Sequence, residues 1–351
     1  MTPLEQELLD LLKIDSPTGK EEKIALHIHR QLADCPHLEL TQYGLSQIYQ
    51  GPLDPGKKTL ALYGHIDTII AEFAPPRVEE EKIYGLGASD MKGGVAAMMQ
   101  LLRSLEPAKA KYNLICVFYD KEEGPYLENG LGPVLEQHPG LHKSDLALAL
   151  EPTDNQIQAG CLGGLHAKVR FTGRAAHSAR PWQGDNALYK AWPLLQRLSQ
   201  MKRVRIEQGG LEFFEVIHAT QAQTTNMRNS IPGQFELNLN YRFAPGKPLE
   251  QAKKELEEIV GPGPEIEFVD ECPSAAAFTE NPLLEELRKG YNLSIEAKQA
   301  WTDVGRLGQY GIEAANFGPG QSSQAHQKNE WIDRASLAEH YEILQGFLYK
   351  L

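Results

Sequence analysis

The chain has 351 residues, 41% of them hydrophobic, and a formal net charge of −12, which is enough for one large or two ordinary domains with full apolar cores. That charge repels phosphate backbones, and no basic stripe interleaved with aromatics overrides it, so nucleic acid is set aside as a partner. No run of about 18 apolar residues could span a membrane, and Met1-Thr2-Pro3-Leu4-Glu5 does not read as a secretion signal, so a cytoplasmic location is expected.

Thr2, Pro3 and Glu5 supply a capping hydroxyl, a residue suited to the first helical position and an acid three places past the cap, ahead of Leu8, Leu9, Leu11 and Leu12. A first helix is predicted there. Thr18 and Glu21 repeat the arrangement before Ile24, Leu26, Ile28 and Leu32, predicting a second helix capped by Thr18. Apolar runs at 60–64, 114–119 and 146–150, each ended by polar or glycine-rich turns, read as buried strands, and an apolar helical segment lies at 93–105. Buried strands alternating with helices predict an α/β fold with a mixed, mainly parallel sheet covered by helices.

After Glu151 the texture changes. Half-buried strands are predicted at 166–171, 213–219, 235–243 and 266–269, with helices at about 186–201 and 249–259, which together form a smaller α+β set. From Asn281 a helix, the short strand 314–317, Gly318-Pro319-Gly320 and a last helix from about Ser336 return to the α/β texture. The expected organisation is a discontinuous catalytic domain, 1–164 with 274–351, interrupted by an inserted domain at 165–273. Cys35, Cys116, Cys161 and Cys272 are far apart with no Cys-x-x-Cys spacing, which argues against a disulfide framework or a thiolate metal site and leaves imidazole and carboxylate as metal ligands.

Candidate ligands gather at strand ends and glycine-rich loops, where open α/β sheets place their sites. His65 and Asp67 end the first strand two residues apart, on one face, so Asp67 can orient the His65 ring. Asp90 sits in Gly85-Leu86-Gly87-Ala88-Ser89-Asp90-Met91-Lys92-Gly93-Gly94. This loop fails as a nucleotide site, because Asp90 stands where a dinucleotide fingerprint needs its third glycine, and Lys92-Gly93 reverses the phosphate-loop order. A carboxylate in such a loop suits a ligand shared by two cations. Glu122 and Glu123 follow a buried strand; Glu123 is assigned as a ligand and Glu122 as the general base that takes a proton from the attacking water and passes it to the leaving amine. Glu151 ends the next strand and His326 closes the set, giving His65, Asp90 and Glu151 for one metal and Asp90, Glu123 and His326 for the other. The donor set suits zinc, with cobalt or manganese as substitutes. A binding protein that had kept the fold and lost the chemistry would be expected to lack the base or a ligand, and none is missing.

Tyr63-Gly64-His65-Ile66-Asp67-Thr68, Ser89-Asp90-Met91-Lys92-Gly93-Gly94, Glu122-Glu123, Leu150-Glu151-Pro152-Thr153 and the late His326 resemble the ordered motifs of the co-catalytic zinc peptidases that include aminoacylases, acetylornithine deacetylase, carboxypeptidases and succinyl-diaminopimelate desuccinylase. Ala176-His177-Ser178-Ala179-Arg180-Pro181-Trp182, Asn240-Tyr241-Arg242-Phe243-Ala244-Pro245 and Thr302-Asp303-Val304-Gly305-Arg306 are most similar to the desuccinylases of the actinobacterial type. The resemblance implies hydrolysis of a small acylated amino acid, N-succinyl-LL-2,6-diaminopimelate, to succinate and LL-diaminopimelate. It also implies a homodimer formed through the inserted domain, with His177 reaching the partner's site to stabilise the oxyanion and Asn229 accompanying it. Arg242 is the leading candidate for gripping a substrate carboxylate, because a guanidinium fork matches that geometry; Arg180 and Arg306 are secondary candidates.

Overall fold

The computed structural model describes residues 1–349. The helix Pro3–Leu12 begins as its sequence predicts: the Thr2 hydroxyl accepts the Glu5 amide and the Glu5 carboxylate accepts the Thr2 amide. Its apolar stripe buries Leu8 and Leu11 completely, and burial of each such side chain is worth roughly 1.5–3 kcal/mol. The next helix, Glu22–Leu32, departs from expectation, because its N-terminus has no side-chain cap. Thr18 instead donates its hydroxyl to Asp67 Oδ2, 2.9 Å away, and Glu21 accepts the Gly19 amide. A tertiary carboxylate thus outcompetes the local helix end for the Thr18 hydroxyl.

The chain divides into two compact units, one comprising Met1–Gly160, Ala277–Ala297 and Thr302–Leu351, the other Cys161–Ala276 and Lys298–Trp301. The larger contains an eight-stranded mixed sheet in the order Glu39–Tyr43, Ser46–Gln50, Asn113–Tyr119, Thr59–His65, Leu146–Ala149, Ala314–Asn316, Ile157–Ala159, Ile295–Ala297. The pairings from Asn113–Tyr119 across to Ala314–Asn316 are all parallel. Asn113–Tyr119 is buried along its whole length, as a strand covered on both faces must be. The helix Lys92–Arg103 packs its buried Val95, Met98, Met99 and Leu102 into the core beside these strands. The parallel strands Thr59–His65, Asn113–Tyr119 and Leu146–Ala149 end together, so His65, the turn after Tyr119 and the turn after Ala149 emerge at one sheet edge. A small sheet not foreseen from the sequence sets Lys82–Tyr84 between Trp331–Asp333 and Arg77–Glu79.

The smaller unit is α+β. Its five-stranded antiparallel sheet runs Val204–Gln208, Leu211–Gln223, Gln234–Phe243, Gly163–Thr172, Glu265–Cys272. Strict alternation along Gln234–Phe243 buries Phe235, Leu237, Leu239, Tyr241 and Phe243 on one face, where they join Leu194 and Leu198 of the helix Trp192–Gln200 and Leu256 of the helix Leu249–Val260. The single helix expected near 186–201 is two: Ala187–Lys190, capped by the Asn186 side chain on the Leu188 amide, and Trp192–Gln200, with Pro193 in its first turn. Among the described residues no helix is long and apolar enough to cross a membrane, and all four cysteines are free thiols.

Candidate active site

His65 ends a buried strand and is 1% exposed. Its Nδ1 lies 3.1 Å from the Asp67 main-chain oxygen and 3.4 Å from Asp67 Oδ1, so Nδ1 carries the proton and Nε2 points to Asp90 Oδ1 at 3.2 Å. Burial by itself would strip a proton from this ring, but Asp67, Asp90 and Glu122 outweigh it and hold the pKa well above the ordinary value. Asp67 also has work that its sequence position did not reveal. Its Oδ1 accepts the Glu122 amide at 2.9 Å and its Oδ2 the Glu123 amide at 3.0 Å, so one buried carboxylate fixes both the His65 ring and the turn that carries the two glutamates. Burial favours the neutral acid; His65 and the two amides override that and leave the Asp67 pKa lowered.

Asp90 precedes the helix Lys92–Arg103, whose early glycines allow a close approach: a Cβ at Gly94 would lie 2.8 Å from Leu150 Cβ. The helix start therefore sits against the strand end that delivers Glu151, bringing Asp90 and Glu151 together. Lys121 adopts a left-handed backbone (φ 61°), as does His326 (φ 62°), a conformation uncommon outside glycine and concentrated at functional turns. These turns aim Glu123 and His326 at each other, with His326 Nε2 2.9 Å from Glu123 Oε1 and 3.7 Å from Asp90 Oδ2.

Ligand atoms of His65, Asp90 and Glu151 lie within 4.8 Å of one another, as do those of Asp90, Glu123 and His326, and those of His65, Glu122 and Glu123. Asp90 belongs to both of the first two groups. The electrostatics call for cations: Glu122 is held well above the usual carboxylate range, first by desolvation, then by the charges of Glu151, Asp303 and Glu123 against the opposing pull of His65. His326 is shifted up to about 9, chiefly by its hydrogen bond to Glu123. Four carboxylates facing two imidazoles form a donor set that divalent cations neutralise, so the residues fit a pair of metal ions. His326 is 52% exposed, which leaves one side of the cluster open to solvent.

Arg306 is a correction to the sequence reading. It is buried, donates through Nε to Asp303 Oδ1 at 3.0 Å and through Nη2 to the Tyr126 carbonyl, and lies over the Tyr126 ring. Its guanidinium is consumed within the protein, together with the Asn129 amide that also binds Asp303, rather than presented to a substrate. Glu330, which no motif spacing had marked, lies 1% exposed against the Asp90 loop. An acid before a short strand carries no local signal, because its partners are some 240 positions away.

The remaining candidates belong to the smaller unit. His177 pairs in register with Ser230, and the Asn229 carbonyl accepts the Ser178 amide, so His177 and Asn229 share one exposed loop cluster. His177 Nδ1 accepts the Ala179 amide at 3.1 Å, which puts the proton of the neutral ring on Nε2. Arg242 lies opposite Gly164, where a Cβ would stand 2.9 Å from Arg242 Nη1. Arg242 is half-buried and Arg180 is exposed.

Residues 61–350 match the family described as "Peptidase family M20/M25/M40". The chain is 33% identical over 341 residues, 96% of each chain, to a putative succinyl-diaminopimelate desuccinylase of Mycobacterium tuberculosis. It is likewise 33% identical over 350 residues, 96% of this chain and 94% of the other, to the succinyl-diaminopimelate desuccinylase of Corynebacterium glutamicum. Among solved structures, a tripeptidase from Staphylococcus aureus shares the fold with a TM-score of 0.79 at 17% identity, covering 99% of this chain and 97% of that one.

Proposed function

The chain belongs to peptidase family M20/M25/M40 and is a metal-dependent hydrolase of amide bonds, and from that premise we propose that it hydrolyses N-succinyl-LL-2,6-diaminopimelate to succinate and LL-2,6-diaminopimelate. The observation that carries the substrate is the 33% identity, spread over nearly the whole chain, to desuccinylases of two organisms. What supports the chemistry is the convergence of His65, Asp90, Glu123, Glu151 and His326 around a shared Asp90, with Glu122 beside them.

His65, Asp90 and Glu151 would hold one divalent cation and Asp90, Glu123 and His326 the other, zinc by donor type, with cobalt or manganese as functional replacements. Bound there, the ions supply Lewis acidity toward the scissile carbonyl and the attacking water. Glu122 is not needed as a ligand in either group, which leaves its carboxylate to take the proton from the water and deliver it to the departing amine nitrogen. Asp67 keeps His65 in the tautomer that points Nε2 inward and keeps the Glu122–Glu123 turn in place. Arg242 grips a substrate carboxylate through a charge-assisted fork.

The inserted unit acts as a dimerisation element. Trp182, Leu188, Tyr189 and Trp192 are 74%, 41%, 71% and 64% exposed within one short stretch, a density of exposed aromatic surface that marks interaction sites. In a homodimer, His177 of each copy serves the partner's site by donating from Nε2 to the developing oxyanion.

The deciding measurement is parallel turnover of N-succinyl-diaminopimelate, N-acetylornithine and a dipeptide by protein loaded with zinc or cobalt. Preference for the succinyl compound is expected, and preference for either of the others removes the substrate assignment. Metal analysis of the same sample is expected to find two ions per chain.

A further inference from the structure

Three groups outside the ligand set invite a role: the buried Lys92, the cavity of about 630 Å³ beside 68–76, and Glu330. Lys92 donates to the Leu11 and Ile14 carbonyls and so completes the end of the first helix. The cavity mixes Lys13, Asp15 and Glu72 with apolar walls and selects no ligand chemistry. Glu330 is different, because its contacts converge on one residue of the cluster.

Glu330 Oε2 accepts the Gly87 amide at 2.8 Å, and Oε1 accepts the Ser89 and Asp90 amides at 2.8 and 2.9 Å. Its main-chain oxygen accepts the Gly85 amide, and Ser89 Oγ donates to the next carbonyl, that of Trp331. The loop 85–90 is thus threaded onto one side chain and its flanking backbone. Gly87 permits this with a left-handed φ of 84°. The three amides are the donors that face the Glu330 carboxylate, while Lys92 and His326 act on it only through charge, and together they offset the several kcal/mol that burying a carboxylate costs. A neutral side chain could tether a loop at less cost. A carboxyl group adds one thing: its two oxygens accept three N–H groups at once.

We propose that Glu330 is a positioning residue that pre-forms the bridging site, holding the Asp90 main chain so that its carboxylate stands at the point common to both ligand groups, in register with His326 four residues upstream. This rests on the two-cation reading above. It gives the link between the first third and the end of the chain a function: Asp90 and His326 approach the same cluster from segments 236 residues apart, and Glu330 sets their relative position before any ion arrives.

Metal-free protein titrated with Co²⁺ alone tests this. Wild type is expected to bind two ions, and Glu330→Gln, which turns one acceptor oxygen into a donor facing amide donors, to bind them about 10–100-fold more weakly, with altered visible d–d bands and a fall in kcat greater than any change in KM. Two ions bound by the variant with unchanged affinity and spectrum overturn the positioning role while leaving the two-cation reading intact; a wild type that takes up no Co²⁺ takes both down. Should the variant not fold, hydrogen exchange on metal-free wild type still decides. Slow exchange of the Gly87, Ser89 and Asp90 amides before metal is added is the expected result. Fast exchange that slows only on loading means the metal organises the loop, and overturns the proposal.

Discussion

The residues assigned to metals and those assigned to substrate live in different kinds of surroundings. In the larger unit the side chains around the cluster are restrained from several directions: His65 by the Asp67 carbonyl, Asp67 by two amides and the Thr18 hydroxyl, and the Asp90 main chain by Glu330. In the smaller unit His177 and Arg180 are exposed, and Arg242 is half-buried. The difference teaches that the fold itself has already met the cost of organising the cluster, through buried hydrogen bonds, while the groups proposed to meet substrate are exposed or half-buried and less restrained.

The comparison breaks most visibly at Glu122. Glu122→Gln is expected to lower kcat by roughly 10²–10⁴-fold while two metals remain bound, as read by steady-state kinetics alongside metal analysis; loss of metal in step with activity would make Glu122 a ligand instead. His177→Ala should cost about 10²–10³-fold in kcat with the metals still in place. Mixing that variant with Glu122→Gln should restore part of the activity, because in a mixed dimer one site regains both groups; no restoration would mean that His177 does not act across subunits. Arg242→Ala is expected to act mainly on KM, reducing kcat/KM by roughly 10–100-fold, as loss of a charge-assisted hydrogen bond does. An equal fall on a substrate lacking the carboxylate would reassign it to structure.

The smallest effect concerns the fold that supports the larger unit. His340 is fully buried, its Nδ1 3.1 Å from Asn155 Oδ1 and its Nε2 without a hydrogen-bond partner. Burial pushes its pKa down to about 3. The unfolded chain therefore binds a proton near pH 6.5 that the folded chain refuses until about pH 3, so the stability from the neutral ring is complete above 6.5 and is lost as pH falls between those values. Chemical denaturation should show a loss of roughly 2 kcal/mol between pH 7 and pH 5 from this group, and His340→Leu should flatten that portion of the profile.

Much of this was readable from residue order. Continuous apolar runs announced the buried parallel strands, because a strand covered on both faces has no polar side to show. Strand ends followed by His65, Glu122-Glu123 and Glu151 announced where a cluster could assemble, since parallel strands deliver their C-terminal turns to one edge. Local chemistry also fixed the first helix, whose cap lies within three residues of its partner.

What tertiary structure alone decided are the choices in which one polar group has several possible partners. Thr18 could cap a helix by its spacing, yet it binds Asp67, because a buried carboxylate must be satisfied. Arg306 reads as a substrate contact in its motif, yet Asp303 and the Tyr126 carbonyl occupy it. Glu330 carries no pattern at all until the fold lays the 85–90 loop across it. Periodicity records which faces are apolar, and so determines burial; a hydrogen bond between distant segments depends on geometry that exists only after those faces have packed.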